Sequence, residues 1–350
     1  MKALAFTIPF VLAVSSARPG VAADLGDAAP ELRVERWLSE PGVKLSDGKG
    51  QRTYVIHFFN TWWPEARGFI PALSDLAAEY ADRGVTIVGI TNERPPAAQR
   101  FREKMGTRMT YAVGCDPQKA TQREYCDAFK TDVKNSLFIV GKDGTIVWFG
   151  DSLYDAGRVL KRLMDGSFSL EHQRQRRKLE ADLHAAIAAR EIDRAIAVAD
   201  QCIAMDPADA RMFIAKLSLL IEEKSDPAAA SSVARELGER VSDVEMLNFV
   251  AWQLLSNEKW RKACDPRLAL ALAEKAHKLS EGKRWEITDT YARAVWEATG
   301  DSARAITLQN EAIAMCRQTP GNELRVIELE KNLNRYQSGG EEKKADAPGR

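Results

Sequence analysis

Thr53-Tyr-Val-Ile-His-Phe-Phe-Asn-Thr-Trp-Trp-Pro-Glu-Ala-Arg67 is the stretch on which the fold turns. Its first seven residues, Thr53 to Phe59, are β-branched and aromatic, which is the composition of a buried strand. Asn60 to Pro64 reads as a turn. Pro64 suits the first position of a helix and Glu65 its positive end. A helix is therefore predicted over 65–80, kinked by Pro71 in its interior.

Working outward, strands and helices alternate. A second apolar strand is predicted over Gly84–Ile90, a helix over Pro96–Met105 and a short strand over Tyr111–Gly114. A helix over Gln118–Phe129 and a strand over Ser136–Val140 follow. Gly141 to Gly144 make a hairpin turn into a strand over Thr145–Phe149, and a helix over Tyr154–Met164 closes the unit. The pattern describes an α/β fold, a mixed sheet flanked by helices.

From Leu170 the pattern becomes all-α. Arg194-Ala-Ile196 with Cys202-Ile-Ala-Met205 recurs as Arg304-Ala-Ile306 with Ala312-Ile-Ala-Met315, 110 residues further on. Ala269 and Ala276 stand 74 residues beyond Ala195 and Cys202. Both offsets fit multiples of about 34 residues, with a short insertion over 257–266. This resembles the tetratricopeptide repeat, in which small residues let antiparallel helices approach closely. A generic helical bundle is the plainer alternative.

The chain has 350 residues, with 50 basic and 50 acidic side chains. Two domains fit that length, and balanced charge gives no pointer to nucleic acid or an anionic membrane. Lys2, the apolar run from Ala3 to Val14 and the small residues Val21-Ala22-Ala23 resemble a signal peptide. The run is too short to span a bilayer, so no membrane span is expected after cleavage. The expected organisation is a signal peptide over 1–23, an α/β domain over 24–166, helical repeats over 167–337 and a disordered tail over 338–350. The expected location is the bacterial periplasm or cell envelope.

Phe58 to Arg67, with Gly84 to Ile90 and Phe138 to Gly144, resembles the exported thioredoxin-like thiol–disulfide reductases of the TlpA-like redoxin family. That family belongs to the alkyl hydroperoxide reductase and thiol-specific antioxidant superfamily. Thr61, Trp62, Pro64, Arg67 and Pro71 match its active-site frame. The resemblance places the two redox cysteines at Trp63 and Ala66 and the family's cis-proline at Asn135. It thus implies a degenerate site at Trp63, Pro64, Glu65, Ala66 and Asn135. A dithiol reductase needs a low-pKa thiolate and a resolving thiol. Trp63 and Ala66 supply neither.

Five cysteines remain, Cys115, Cys126, Cys202, Cys264 and Cys316, and no two are spaced as Cys-x-x-Cys. Cys115 and Cys126 are the candidate replacement thiols, against the plainer reading of packed core residues. The four histidines show no metal-ligand spacing, so neither metal nor cofactor is expected. His57 reads as a satisfied core histidine, with a cleft-lining role as the alternative.

Trp62, Trp63 and Asn135 are the expected binding residues, because tryptophan is enriched at interface hot spots. Two placements of Trp63 are open, exposed for a partner or folded down where the cysteine stood. The expected function is a non-catalytic binding or scaffolding module for a protein or peptide. The rivals are a redoxin oxidoreductase working through Cys115, Cys126 or a partner's thiols, and a holdase using the repeat groove.

Overall fold

The computed structural model describes residues 23–39, 41–64, 66–319 and 321–338. The expected signal peptide and terminal tail therefore lie outside the described residues, except for Ala23 and Ser338. So does Glu65. Two compact units divide between Arg174 and Gln175, a little beyond the joint expected after residue 166.

The first unit is built on six strands: β1 (Arg36–Trp37), β2 (Thr53–Phe58), β3 (Val85–Thr91), β4 (Ala112–Cys115), β5 (Leu137–Val140) and β6 (Ile146–Gly150). Their order across the sheet is β1-β4-β3-β2-β5-β6. β2, β3 and β4 run parallel, whereas β1, β5 and β6 each pair antiparallel with their neighbour. The helices are α1 (Ala66–Tyr80), α2 (Pro95–Met105), the three-residue α3 (Ala120–Gln122) and α4 (Leu153–Asp165). The two-residue β1 was not anticipated, since Arg36-Trp37 is too short to show a pattern of its own.

Side chains alternate across a strand, and the sheet uses both faces. Val55, Ile87, Leu137, Ile139 and Val147 join Ile70, Leu73, Val159 and Leu160 of α1 and α4 in one core. Tyr54, Ile56, Phe58, Val88, Phe138 and Phe149 point the other way, into a second core with Leu25, Tyr125, Cys126 and Phe129. That double burial explains why β2 has no exposed position.

One element needs correction. The helix expected over 118–129 is only α3, followed by a wide π-type turn over Arg123–Asp127. The Asp116 carboxylate accepts from the amides of Ala120, Thr121 and Gln122 at 2.8, 2.8 and 3.2 Å, which starts the turn of helix. The widened turn seats Tyr125 in the core, where its hydroxyl donates to the Pro30 carbonyl at 2.6 Å. Anchoring across the fold overrides local helical periodicity here.

The second unit is all-helical. α5 (Leu170–Ala188) carries the chain across the division. It is followed by α6 (Ile192–Met205), α7 (Ala210–Ser218, continued by a π turn to Glu223), α8 (Pro227–Arg240) and α9 (Val244–Ser256). Then come the short α10 (Glu258–Ala263), α11 (Pro266–Leu279), α12 (Trp285–Thr299), α13 (Ser302–Arg317) and α14 (Glu323–Gln337). α6, α8, α11 and α13 begin at 192, 227, 266 and 302, and α10 falls in the widest interval. Their buried faces carry small residues: Ala195, Ala199 and Cys202 on α6, Ala230 and Ala234 on α8, Ala269, Ala273 and Ala276 on α11, Ala305 and Ala312 on α13.

Arg176 of α5 is buried among acids of this unit. It contacts Glu180 at 3.0 Å, Asp206 at 3.2 Å and Asp209, and Arg211 reaches Glu180 at 3.0 Å. Asp209 also caps α7, accepting from the Arg211 amide.

Candidate functional site

The candidate site is the turn between β2 and α1. Its backbone is tied by Trp63 N–H donating to the Asn60 carbonyl at 3.2 Å. Glu93, just after β3, holds Thr61 twice, accepting from its amide at 2.6 Å and its hydroxyl at 2.7 Å. Sequence reading missed Glu93. A lone acid after a strand carries no pattern, and only the parallel pairing of β2 with β3 brings the two loops together.

The two tryptophans part company. Trp62 is 62% exposed. Trp63 is half-buried, packed against the core that holds α1, and the two rings meet edge-on at 5.8 Å. The Lys134 ammonium sits over the Trp63 ring, 4.3 Å from its centre, a cation–π contact. Of the two placements left open by the sequence, Trp63 takes the packed one and Trp62 supplies the exposed surface. Pro64 is exposed and Ala66 is buried.

Asn135 precedes β5 with φ of +61°. That left-handed conformation is one asparagine tolerates, and a proline ring, locked near −65°, cannot adopt it. Asn135 also approaches His57. His57 is fully buried on β2, stacked on Phe59 at 5.3 Å and Phe69 at 5.2 Å, with the Tyr111 hydroxyl 3.4 Å from Nδ1. Burial pushes the imidazole pKa down to about 3, and Asn135 opposes that fall. Yet His57 Nε2 and Asn135 Oδ1 make no hydrogen bond of ordinary geometry. His57 is thus a neutral core residue that lacks one partner, and its expected satisfaction is incomplete.

The candidate thiols do not join this turn. Cys115 ends β4 and Cys126 lies in the wide turn after α3. Both are buried, and all five cysteines are free. Cys126 belongs to the core on the opposite face of the sheet from the one Trp63 packs against. Burial pushes the Cys115 thiol up to about 11 and the Cys126 thiol to about 12. A nucleophilic cysteine requires the opposite shift. Among the described residues no cluster of histidine, cysteine or acid could hold a metal ion, and no helix is long and apolar enough to cross a membrane.

The mixed sheet, with helices over its faces and a strand–turn–helix at the end of β2, gives the first unit a thioredoxin-like fold. Residues 25–149 match the model of the AhpC/TSA family. The thiol-disulfide oxidoreductase ResA of Oceanobacillus iheyensis is 34% identical over 70 residues, which are 19% of this chain and 36% of the relative. The chain thus spans about a third of that relative's length. Among solved structures, a thiol:disulfide interchange protein of the thioredoxin family from Chlorobium tepidum aligns at 22% identity and a TM-score of 0.34. It covers 41% of this chain and 99% of its own. A 2-Cys peroxiredoxin from Plasmodium vivax aligns at 16% identity and a TM-score of 0.36, covering 41% and 97%.

Proposed function

We propose that this protein is an exported, non-catalytic binding protein whose redoxin domain presents Trp62, braced by Trp63, to a protein or peptide partner. One observation carries the reading. Trp63, where the resemblance puts the family's nucleophile, packs onto the core, and its exposed neighbour is another tryptophan. An exposed, well-braced tryptophan offers a large apolar area at small conformational cost. The helical unit supports a second contact surface, because stacked helix pairs present long grooves. The spacing of α6, α8, α11 and α13 and their buried alanines favour the tetratricopeptide-like reading. A cell-envelope location follows from the signal-peptide resemblance.

The rival reading, a thiol–disulfide oxidoreductase, draws on the likeness to ResA. It requires that Cys115, Cys126 or a partner's thiols do the chemistry.

The test pairs two assays on the full chain. The native protein is expected to leave a model protein disulfide unreduced. A partner captured by a photo-crosslinker at the neighbouring exposed position 64 is expected to lose binding to Trp62→Ala while the circular dichroism spectrum is unchanged. Disulfide reduction by the native protein, abolished by Cys115→Ser or Cys126→Ser, overturns the proposal.

A further inference from the structure

α14 is the last helix of the helical unit, and its sequence carries two stripes. Val326, Leu329, Leu333 and Tyr336 recur at helical spacing and form the inner one. Leu329, with Val326 and Leu333 beside it, packs on Ile313 and Cys316 of α13. Tyr336 meets Trp296 of α12 with ring centres 5.4 Å apart. Gln309 of α13 donates to the Leu329 carbonyl at 3.1 Å, and Arg317 pairs with Glu330 at 2.6 Å. These contacts fix which side of α14 faces inward. α12 is flanked by both α11 and α13, whereas α14 fully buries only Leu329 and Tyr336.

The outer stripe is the unusual one. Leu324 is 77% exposed and Ile327 49%, more than any other large apolar side chain among the described residues of this unit. Three residues apart on a helix, they share a face. Glu323 and Lys331 stand on that face four residues before and four residues after Ile327. Neither makes an ion pair among the described residues. The other charges nearby are already engaged. Arg325 pairs with Glu328 at 2.9 Å, and the Arg335 guanidinium lies over the Trp296 ring, 4.6 Å from its centre. The exposed face of α14 is therefore acidic at its start, apolar in its middle and basic beyond, with its two unpaired charges equidistant from Ile327.

Such a face is complementary to itself turned end for end. We propose that α14 pairs antiparallel with α14 of a second copy of this chain, about a two-fold axis at Ile327. Ile327 then meets the partner's Ile327, with Leu324 beside that contact, and Glu323 lies opposite the partner's Lys331. The same symmetry sets Lys331 opposite the partner's Glu323, so the ion pair forms twice. Antiparallel packing also opposes the two helix dipoles. The segment that follows α14 is a poorer cover, since residues 339–350 offer only Ala345, Ala347 and Pro348 as apolar groups beyond glycine. A helix of 15 residues is about 22 Å long, so the interface is small and the association weak and reversible. The pairing is independent of the Trp62 surface and of the function proposed for it.

Sedimentation velocity of the full chain, from about 10 μM to about 1 mM, tests this. A monomer–dimer equilibrium is expected, weakening as salt is raised. Ile327→Asp, at an exposed position outside the core, is expected to weaken it roughly tenfold or more. Glu323→Lys and Lys331→Glu each set two like-charge pairs across the axis, and each is expected to weaken it roughly three- to tenfold. Mixed in equal amounts, these two variants bring opposite charges together on both sides, so dimers are expected to return to about the native strength. A chain that stays monomeric over the whole range overturns the proposal. So does a native dimer indifferent to Ile327→Asp, because the contact then lies elsewhere. A mixture no stronger than either variant alone overturns it too, since the charges then do not meet across a two-fold axis. A folding defect in either variant cannot produce the recovery, so the mixture remains decisive.

Discussion

Asn135 and His57 set the character of the candidate site at single-residue scale. Asn135→Pro is expected to destabilise the protein by more than about 1 kcal/mol, since proline cannot reach a φ of +61° without moving the backbone. Chemical denaturation measures it directly. The left-handed backbone at Asn135 was not legible in the sequence, because asparagine is compatible with either region. His57 makes a second prediction. Its folded pKa of about 3 lies below the roughly 6.5 of an unfolded imidazole. The unfolded chain therefore binds the extra proton between those values. The stability conferred by a neutral His57 is complete above about pH 6.5 and falls as pH drops toward 3, by at most about 1.4 kcal/mol per pH unit. Urea midpoints measured from pH 7 to pH 4 are expected to fall less steeply in His57→Leu than in the native protein. Equal slopes would show that His57 is not the group responsible.

Among the elements, Arg176 carries the sharpest expectation. It is buried with Asp206 and Asp209, and removing one member of a buried ionic cluster strands the others. Arg176→Ala is expected to cost about 3–5 kcal/mol in unfolding free energy, whereas Arg194→Ala, in an exposed pair with Glu191, is expected to leave stability nearly unchanged. The strands of the first unit were legible because double burial gives continuous apolar runs, as in Val85 to Thr91. The helices of the second unit were legible because alanine and leucine recur on one face. The segment after β4 was not, since Asp116 and the Tyr125–Pro30 hydrogen bond decide its path and neither leaves a periodic trace. Glu93 escaped for the same reason, being placed by strand pairing rather than by its neighbours in sequence.

For the whole molecule, the cysteines give a direct check. All five are free and buried, so a thiol reagent is expected to modify none rapidly in the native state and all five after denaturation. Fast native labelling of Cys115 or Cys126 would favour the oxidoreductase reading. Sequence sufficed to divide the chain into an α/β part and a helical part, because the periods differ. The contact between Lys134 and the Trp63 ring also governs how substitutions combine. It ties the segment before β5 to the turn after β2, so replacements at 63 and 134 are expected to be non-additive, and the two loops accept change as a pair rather than one at a time.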